Sequence, residues 1–361
     1  MTTPLARLRV RETHGLRRFL YPLTAQITLP KETDPNTLSL STPEGQPVPT
    51  QGTQRGRGRY RLDFALSLAP YQAQDLALSL EPPQAQIEDP LAVDCSHADR
   101  LLRCRQKKFS LGVDARNNLL DVVYEDVPHL RGRSTVTRNG RAMQAVRSVP
   151  RVGEALLAAW NVAQGRYDNS AGATDAETRT ELTACKSWAA VTHKLHTPRP
   201  GDRVVFTLPL AVVSPTLTCD FGVGGGIYGK LQAGGADSVT WRTMFEESGD
   251  VPWTLATEGR VDYQGTSESA EAYQPQRWFH VIDSGKALAV AVTHVPAACW
   301  EMAVTLTVAG DVLVAFTLGQ TAAGPAEFGV CWHFLNDVPA RAAATNPQSI
   351  LLPPLVDVLP A

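Results

Sequence analysis

The chain has 361 residues, 43% of them hydrophobic and only 19% charged, the balance of a folded globular protein with a large core rather than a disordered one. Its 34 basic and 36 acidic residues leave a formal net charge of -2, so no overall field draws it to nucleic acid or to an anionic membrane. No apolar run nears the roughly 20 residues needed to span a bilayer, and no basic segment followed by an apolar stretch opens the chain; the expectation is a cytoplasmic protein, although a removed signal peptide would leave the same pattern.

From the N-terminus onward, short alternating or apolar runs separated by Pro, Gly, Asn and Asp recur, which predicts an antiparallel all-β protein. Residues 25–29 and 60–66 are the first clear strands. The basic run Arg55-Gly56-Arg57-Gly58-Arg59-Tyr60-Arg61 reads as a solvated turn between two strands, with a polyanion site as the alternative. The Pro-, Gln- and Ala-rich stretch over 67–90 is the best boundary, so the expected organisation is a smaller β-module over 1–85 and a large β-sandwich over 86–361.

Helical periodicity is scarce. Over 152–164, Ala155, Leu156, Ala159, Trp160 and Ala163 could form one apolar helix face ended by Gly165, yet 156–160 equally fits a buried strand. Further strands are expected at 202–208, 287–292, 303–308 and 312–318, the last two joined by a tight hairpin through Ala309-Gly310-Asp311. Asn139-Gly140 and Asp283-Ser284-Gly285 carry turn chemistry. No fixed-period repeat is visible, which argues against a propeller or solenoid. The six cysteines lack CxxC spacing, so reduced thiols are expected, with no metal site and no cofactor.

The segment Leu16-Arg17-Arg18-Phe19-Leu20-Tyr21-Pro22-Leu23, then Leu29-Pro30, then Thr42-Pro43-Glu44-Gly45-Gln46-Pro47-Val48-Pro49-Thr50-Gln51, resembles a phrase of carbohydrate-active β-sandwich proteins. The resemblance is to exo-acting rhamnogalacturonan lyase-like proteins and to the β-sandwich portions of α-mannosidase-like glycosidases. A looser similarity in the order of elements, from residues 191–195 through the glycines near 222–226 to 276–283, is to galactose mutarotase-like supersandwiches, which bind sugars on a large antiparallel sheet. Both resemblances imply a carbohydrate partner; neither transfers a catalytic residue.

The densest signal is Asp220-Phe221-Gly222-Val223-Gly224-Gly225-Gly226-Ile227-Tyr228-Gly229-Lys230. Glycines packed this closely weaken a strand and suggest a backbone that turns sharply or admits another group. The spacing is not that of a phosphate loop, because Ile227 stands where GxGxxG requires its last glycine.

Hydrolysis of a glycan needs a carboxylate pair flanking the scissile bond, whereas β-elimination beside a uronic acid needs a base for the C5 proton and a cation for the enolate-like charge. Carboxylates at Glu246, Glu247, Asp250 and Glu258 form no convincing dyad. The elimination toolkit points to Tyr228, His193 or His280 as base and to Arg277 or Arg242 as the cation. Gln276, Trp278 and His280 would share one strand face, suited to stacking on a sugar ring and bonding its hydroxyls, and Tyr263 and His333 are further substrate-binding candidates. His193 shares a strand face with Val191 and Leu195, and His333 with Cys331 and Leu335, settings that favour core histidines over functional ones. The leading expectation is a polysaccharide lyase; the alternatives are a non-catalytic carbohydrate-binding sandwich and a glycosidase or sugar epimerase on the same fold.

Overall fold

The computed structural model describes residues 4–80, 94–98, 101–105, 109–152, 157–166, 176–184, 188–196, 199–211, 216–223, 227–232, 238–246, 249–250, 275–283, 287–294, 299–307, 309–320, 326–336 and 352–359. Among them the chain is all-β and antiparallel, with one short 3-10 turn at Pro35–Thr37 and no α-helix. The strands assemble into five sheets. No described helix is long and apolar enough to cross a membrane.

Strict alternation builds the N-terminal unit. Ala6–Arg11 reads apolar, basic, apolar, basic, and its buried and exposed residues alternate in step, so one face must find a partner layer. Arg18–Thr28, Thr50–Gly56 and Arg59–Leu68 form a three-stranded sheet packed against a five-stranded one, enclosing Leu8, Val10, Leu40, Tyr60, Leu62, Phe64 and Leu78. The basic run lies at the turn between the second and third of these strands, where Gly58 has φ +66°. Leu355–Leu359, from the other end of the chain, pairs with Ala6–Arg11, so this five-stranded sheet takes strands remote in sequence. The pairing is local in space and remote in sequence, which is why a division by linear composition does not reveal it.

The larger unit is a sandwich. One layer is a nine-stranded sheet; a seven-stranded and a five-stranded sheet lie on its inner face. Their shared core takes Val191, Leu195, Phe328, Val330, Trp332 and Phe334 from the first layer and Phe206, Val304, Val314 and Phe316 from the second. Phe316 stacks on Phe328 across the layers, with centroids 5.2 Å apart, and meets Phe206 edge-on at 6.0 Å. Such pairs prefer these geometries because the ring faces are electron-rich and the edges are not. The hairpin at Ala309-Gly310-Asp311 forms as expected: Gly310 has φ +86°, and the Gly310 and Asp311 amides donate to the Thr307 carbonyl and hydroxyl.

Of the two readings left open over 152–164 the strand holds: Gln144–Val152 and Leu157–Arg166 pair in the nine-stranded sheet, and 153–156 lie outside the described residues. Asn139-Gly140 turns as expected, with φ +51° and +74°. The turn expected at Asp283-Ser284-Gly285 has its last two residues outside the described residues.

Candidate functional site

The glycine cluster connects two paired strands, Thr216–Val223 and Ile227–Gln232, at the edge of the nine-stranded sheet. Residues 224–226 lie outside the described residues, but the register on either side of them does not: Asp220 pairs with Tyr228 and Phe221 with Ile227. On its other side Asp220 pairs with His280, His280 with Val290, and Val290 with His333. Directly opposed residues of an antiparallel ladder share a face. A single row therefore runs Tyr228–Asp220–His280–Val290–His333 across five strands.

The next row on that face contains Trp278, paired with Val292, which pairs with Cys331. Cys331 pairs with Thr192, and Thr192 with Glu181. Lys230 lies one strand step beyond Tyr228, two residues along, and so belongs to the same face. This face is opposite the sandwich core, because the alternate residues Phe328, Val330, Trp332 and Phe334 fill that core.

The N-terminal unit packs on the same outer face. Cys331 touches its core, and Arg61 reaches across to donate to Glu181 at 2.8 Å, with Arg55 adding a longer contact at 3.4 Å. Arg61 also pairs with Asp63 at 2.9 Å, and Thr24 donates to the same carboxylate oxygen. Burial pushes the Asp63 carboxyl up even with Arg61 beside it. Around Cys331, Thr192 donates to Sγ at 3.0 Å and His333 Nε2 stands 3.8 Å away. Burial pushes the Cys331 thiol up to about 11, against the lowering effect of the Thr192 hydroxyl, so this is a protonated thiol and not a nucleophile.

The residues marked out by sequence divide clearly. Tyr228, His280, His333, Trp278 and Gln276 fall on the outer face, the last by alternation along Pro275–Asp283. Arg277 alternates to the opposite face, the side of Val281, whose side chain is in the core. Arg242 belongs to a different sheet and pairs with Ala303, which packs with Val205 and Ala315 on the far side of the seven-stranded layer. By strand alternation and sheet membership neither arginine shares a face with Tyr228. Lys230, on the same strand as Tyr228, does share it.

His193 is 3% exposed on the inner face between Val191 and Leu195, its Nε2 has no hydrogen-bond partner among the described residues, and burial lowers its pKa to about 4 despite the nearby Asp114 carboxylate. This is the setting of a neutral core histidine. Tyr263, Glu247 and Glu258 lie outside the described residues. Asp220 is the residue that sequence reasoning passed over: its signal was the hairpin itself, since closing the turn over the glycines sets Asp220 opposite Tyr228.

No family model matches the chain, and no curated protein matches it. Solved structures do. A protein of glycosyl hydrolase family 38 from Enterococcus faecalis aligns over 98% of this chain and 47% of its own length, at 10% identity and a TM-score of 0.57. An α-mannosidase from Enterococcus faecalis V583 aligns over 98% and 46%, at 9% identity and the same TM-score. The chain thus spans about half the length of these proteins, and the likeness is one of fold.

Proposed function

We propose that this protein acts on carbohydrate, with the outer face of the nine-stranded sheet at the glycine hairpin as its substrate surface. The observation that carries the reading is the register row Tyr228–Asp220–His280, with Trp278 one step along the same face. An indole can lie on the apolar face of a pyranose, while imidazole and carboxylate bond its hydroxyls. The fold likeness to two glycosidase-related structures supports the same substrate class.

The chemistry proposed is β-elimination next to a uronic acid. Tyr228, ionised with help from Lys230, takes the C5 proton; His280 donates to the departing glycosidic oxygen; Lys230 offsets the charge that develops on the carboxylate. Proton and electron pair balance: the C5–H pair forms the new C4–C5 double bond as the C4–O bond breaks, and the leaving oxygen receives a proton. Incubation with polygalacturonate, alginate and a xylan carrying uronic acid should raise absorbance near that of an unsaturated uronate, and Tyr228→Phe should lower the rate at least 100-fold. Absence of product with every polymer, or an unchanged Tyr228→Phe rate, sinks the elimination reading.

A second reading, sugar binding without turnover, rests on one observation: Trp278 on the outer face offers a stacking surface that needs no base beside it. Binding lost in Trp278→Ala, with no product from any polymer, supports it.

A further inference from the structure

Far in sequence from the glycine hairpin, the N-terminal unit presents two rings to solvent. Among the described residues Phe19 and Tyr71 are the large aromatic side chains left exposed, at 63% and 75%. Each stands on unusual backbone. Between Arg18 and Tyr21 the ladder with Arg59–Leu68 slips, so Phe19 and Leu20 form a bulge, and Leu20 has φ +43°. Tyr71 has φ +59°. For such residues a left-handed conformation is costly, and it persists where the surroundings hold it for a purpose. Bulges likewise re-aim side chains.

The surroundings fix the backbone that carries Phe19 and leave a place for the Tyr71 ring. Arg18, between Arg17 and Phe19, is almost wholly buried; it donates to Glu12 at 2.5 Å and to the Leu352 carbonyl, and packs over Tyr21 at 4.8 Å. The Glu12 carboxylate also accepts from the His14 amide, tying down the loop that leads to Phe19. The Leu20 amide donates to Ser67 Oγ at 3.0 Å, which joins this loop to the segment before Tyr71. Gly15, at φ +73°, leaves room for the Tyr71 ring: a side chain there would meet Oη at 2.7 Å. Arg17 lies 5.9 Å from the Phe19 centroid and makes no ion pair among the described residues.

We infer that Phe19, Tyr71 and Arg17 form a second saccharide-binding platform, remote from the glycine hairpin, that takes a chain of pyranose rings and favours one bearing carboxylates. Flat, pre-positioned rings supply stacking surface at little entropic cost, and a guanidinium with no acidic partner supplies a bond for a hydroxyl or a uronate. Two rings expose at most a few hundred Å², well short of the roughly 800 Å² per partner that a stable protein interface buries. The choice of sugar rests on the proposed function; the site does not involve its residues.

Affinity electrophoresis of the full chain through gels containing polygalacturonate or a neutral mannan tests it. Retardation should be strongest in polygalacturonate. Phe19→Ala with Tyr71→Ala should weaken it roughly tenfold or more, Tyr71→Phe should retain it, and Arg17→Gln should weaken only the acidic polymer. A Trp278→Ala chain should still be retarded through Phe19 and Tyr71, so failure of the hairpin surface is told apart from failure of this one. Equal retardation of the double variant and the parent overturns the proposal, as does no retardation of the parent in either gel. So does a dimer in sedimentation that the double variant dissolves, because the rings then serve self-association.

Discussion

The two faces of the nine-stranded sheet use the same residue types to opposite ends. On the inner face His193 is buried opposite Val330 and Thr180 and stays neutral because lost hydration outweighs the nearby Asp114 carboxylate. On the outer face polar groups are met by other polar groups: Thr192 with Cys331, Lys194 with Glu327 at 2.8 Å, Arg61 with Glu181 and Asp63. One strand, Trp188–His196, serves both, since its alternation puts His193 inward and Thr192 and Lys194 outward. A histidine's meaning is therefore set by which side of the pleat it falls on.

The largest effect expected from breaking this contrast is at the contact between the two units. Arg61→Ala removes the cation that Asp63 and Glu181 share, leaving the side chain of Asp63, only 6% exposed, without its charge partner. Breaking a buried pair costs several kcal/mol; with Glu181 about one-third exposed, a loss of about 3 kcal/mol is expected, read from the urea midpoint. A loss below about 1 kcal/mol would mean that solvent already screens the cluster.

Next in size is the inner face under acid. The folded-state pKa of His193, about 4, is below its ordinary 6.5, so above pH 6.5 the residue is neutral in both states and costs nothing. As pH falls from 6.5 toward 4 the unfolded chain takes up a proton that the folded one refuses, and stability drops, to about 3 kcal/mol below its neutral-pH level from this group alone. His193→Leu should flatten that part of the stability profile. An unchanged slope between pH 6.5 and 4 would show that His193 does not carry it.

These faces were only partly legible in the sequence. Alternation exposes a strand, and from it the grouping of Gln276, Trp278 and His280 and the apolar setting of His193 follow directly. It fails where a bulge interrupts it: the shift between Leu157 and Ala159 inserts a residue, and an Ala-rich stretch with a displaced period passes for one helix face. Sheet partners are further out of reach. That Tyr228, Asp220, His280 and His333 form one row depends on which strands are neighbours and in what register, and Val10 meets Val356 across nearly the whole chain. The faces of Arg277 and Arg242 are hidden for the same reason, since a basic residue near a motif in sequence says nothing of the sheet face it occupies.

The smallest effect is a rate, and it joins the two faces. Cys104 and Cys299 are core thiols, 1% and 4% exposed, whereas Cys331 is on the outer face with the N-terminal unit over it. Burial holds the Cys331 thiol at about 11, so at pH 8 its thiolate should be scarce and iodoacetamide labelling slow, roughly 100-fold below that of the urea-unfolded chain. That protection depends on the module, while that of Cys104 depends on the sandwich core. Arg61→Ala, by loosening the contact, should therefore speed labelling of the Cys331 peptide and leave the Cys104 peptide unchanged in mass spectrometry. Equal acceleration at both thiols would mean that the two units open together; acceleration at neither would mean that apolar contact at Cys331, not the Arg61 cluster, holds the N-terminal unit on the sheet.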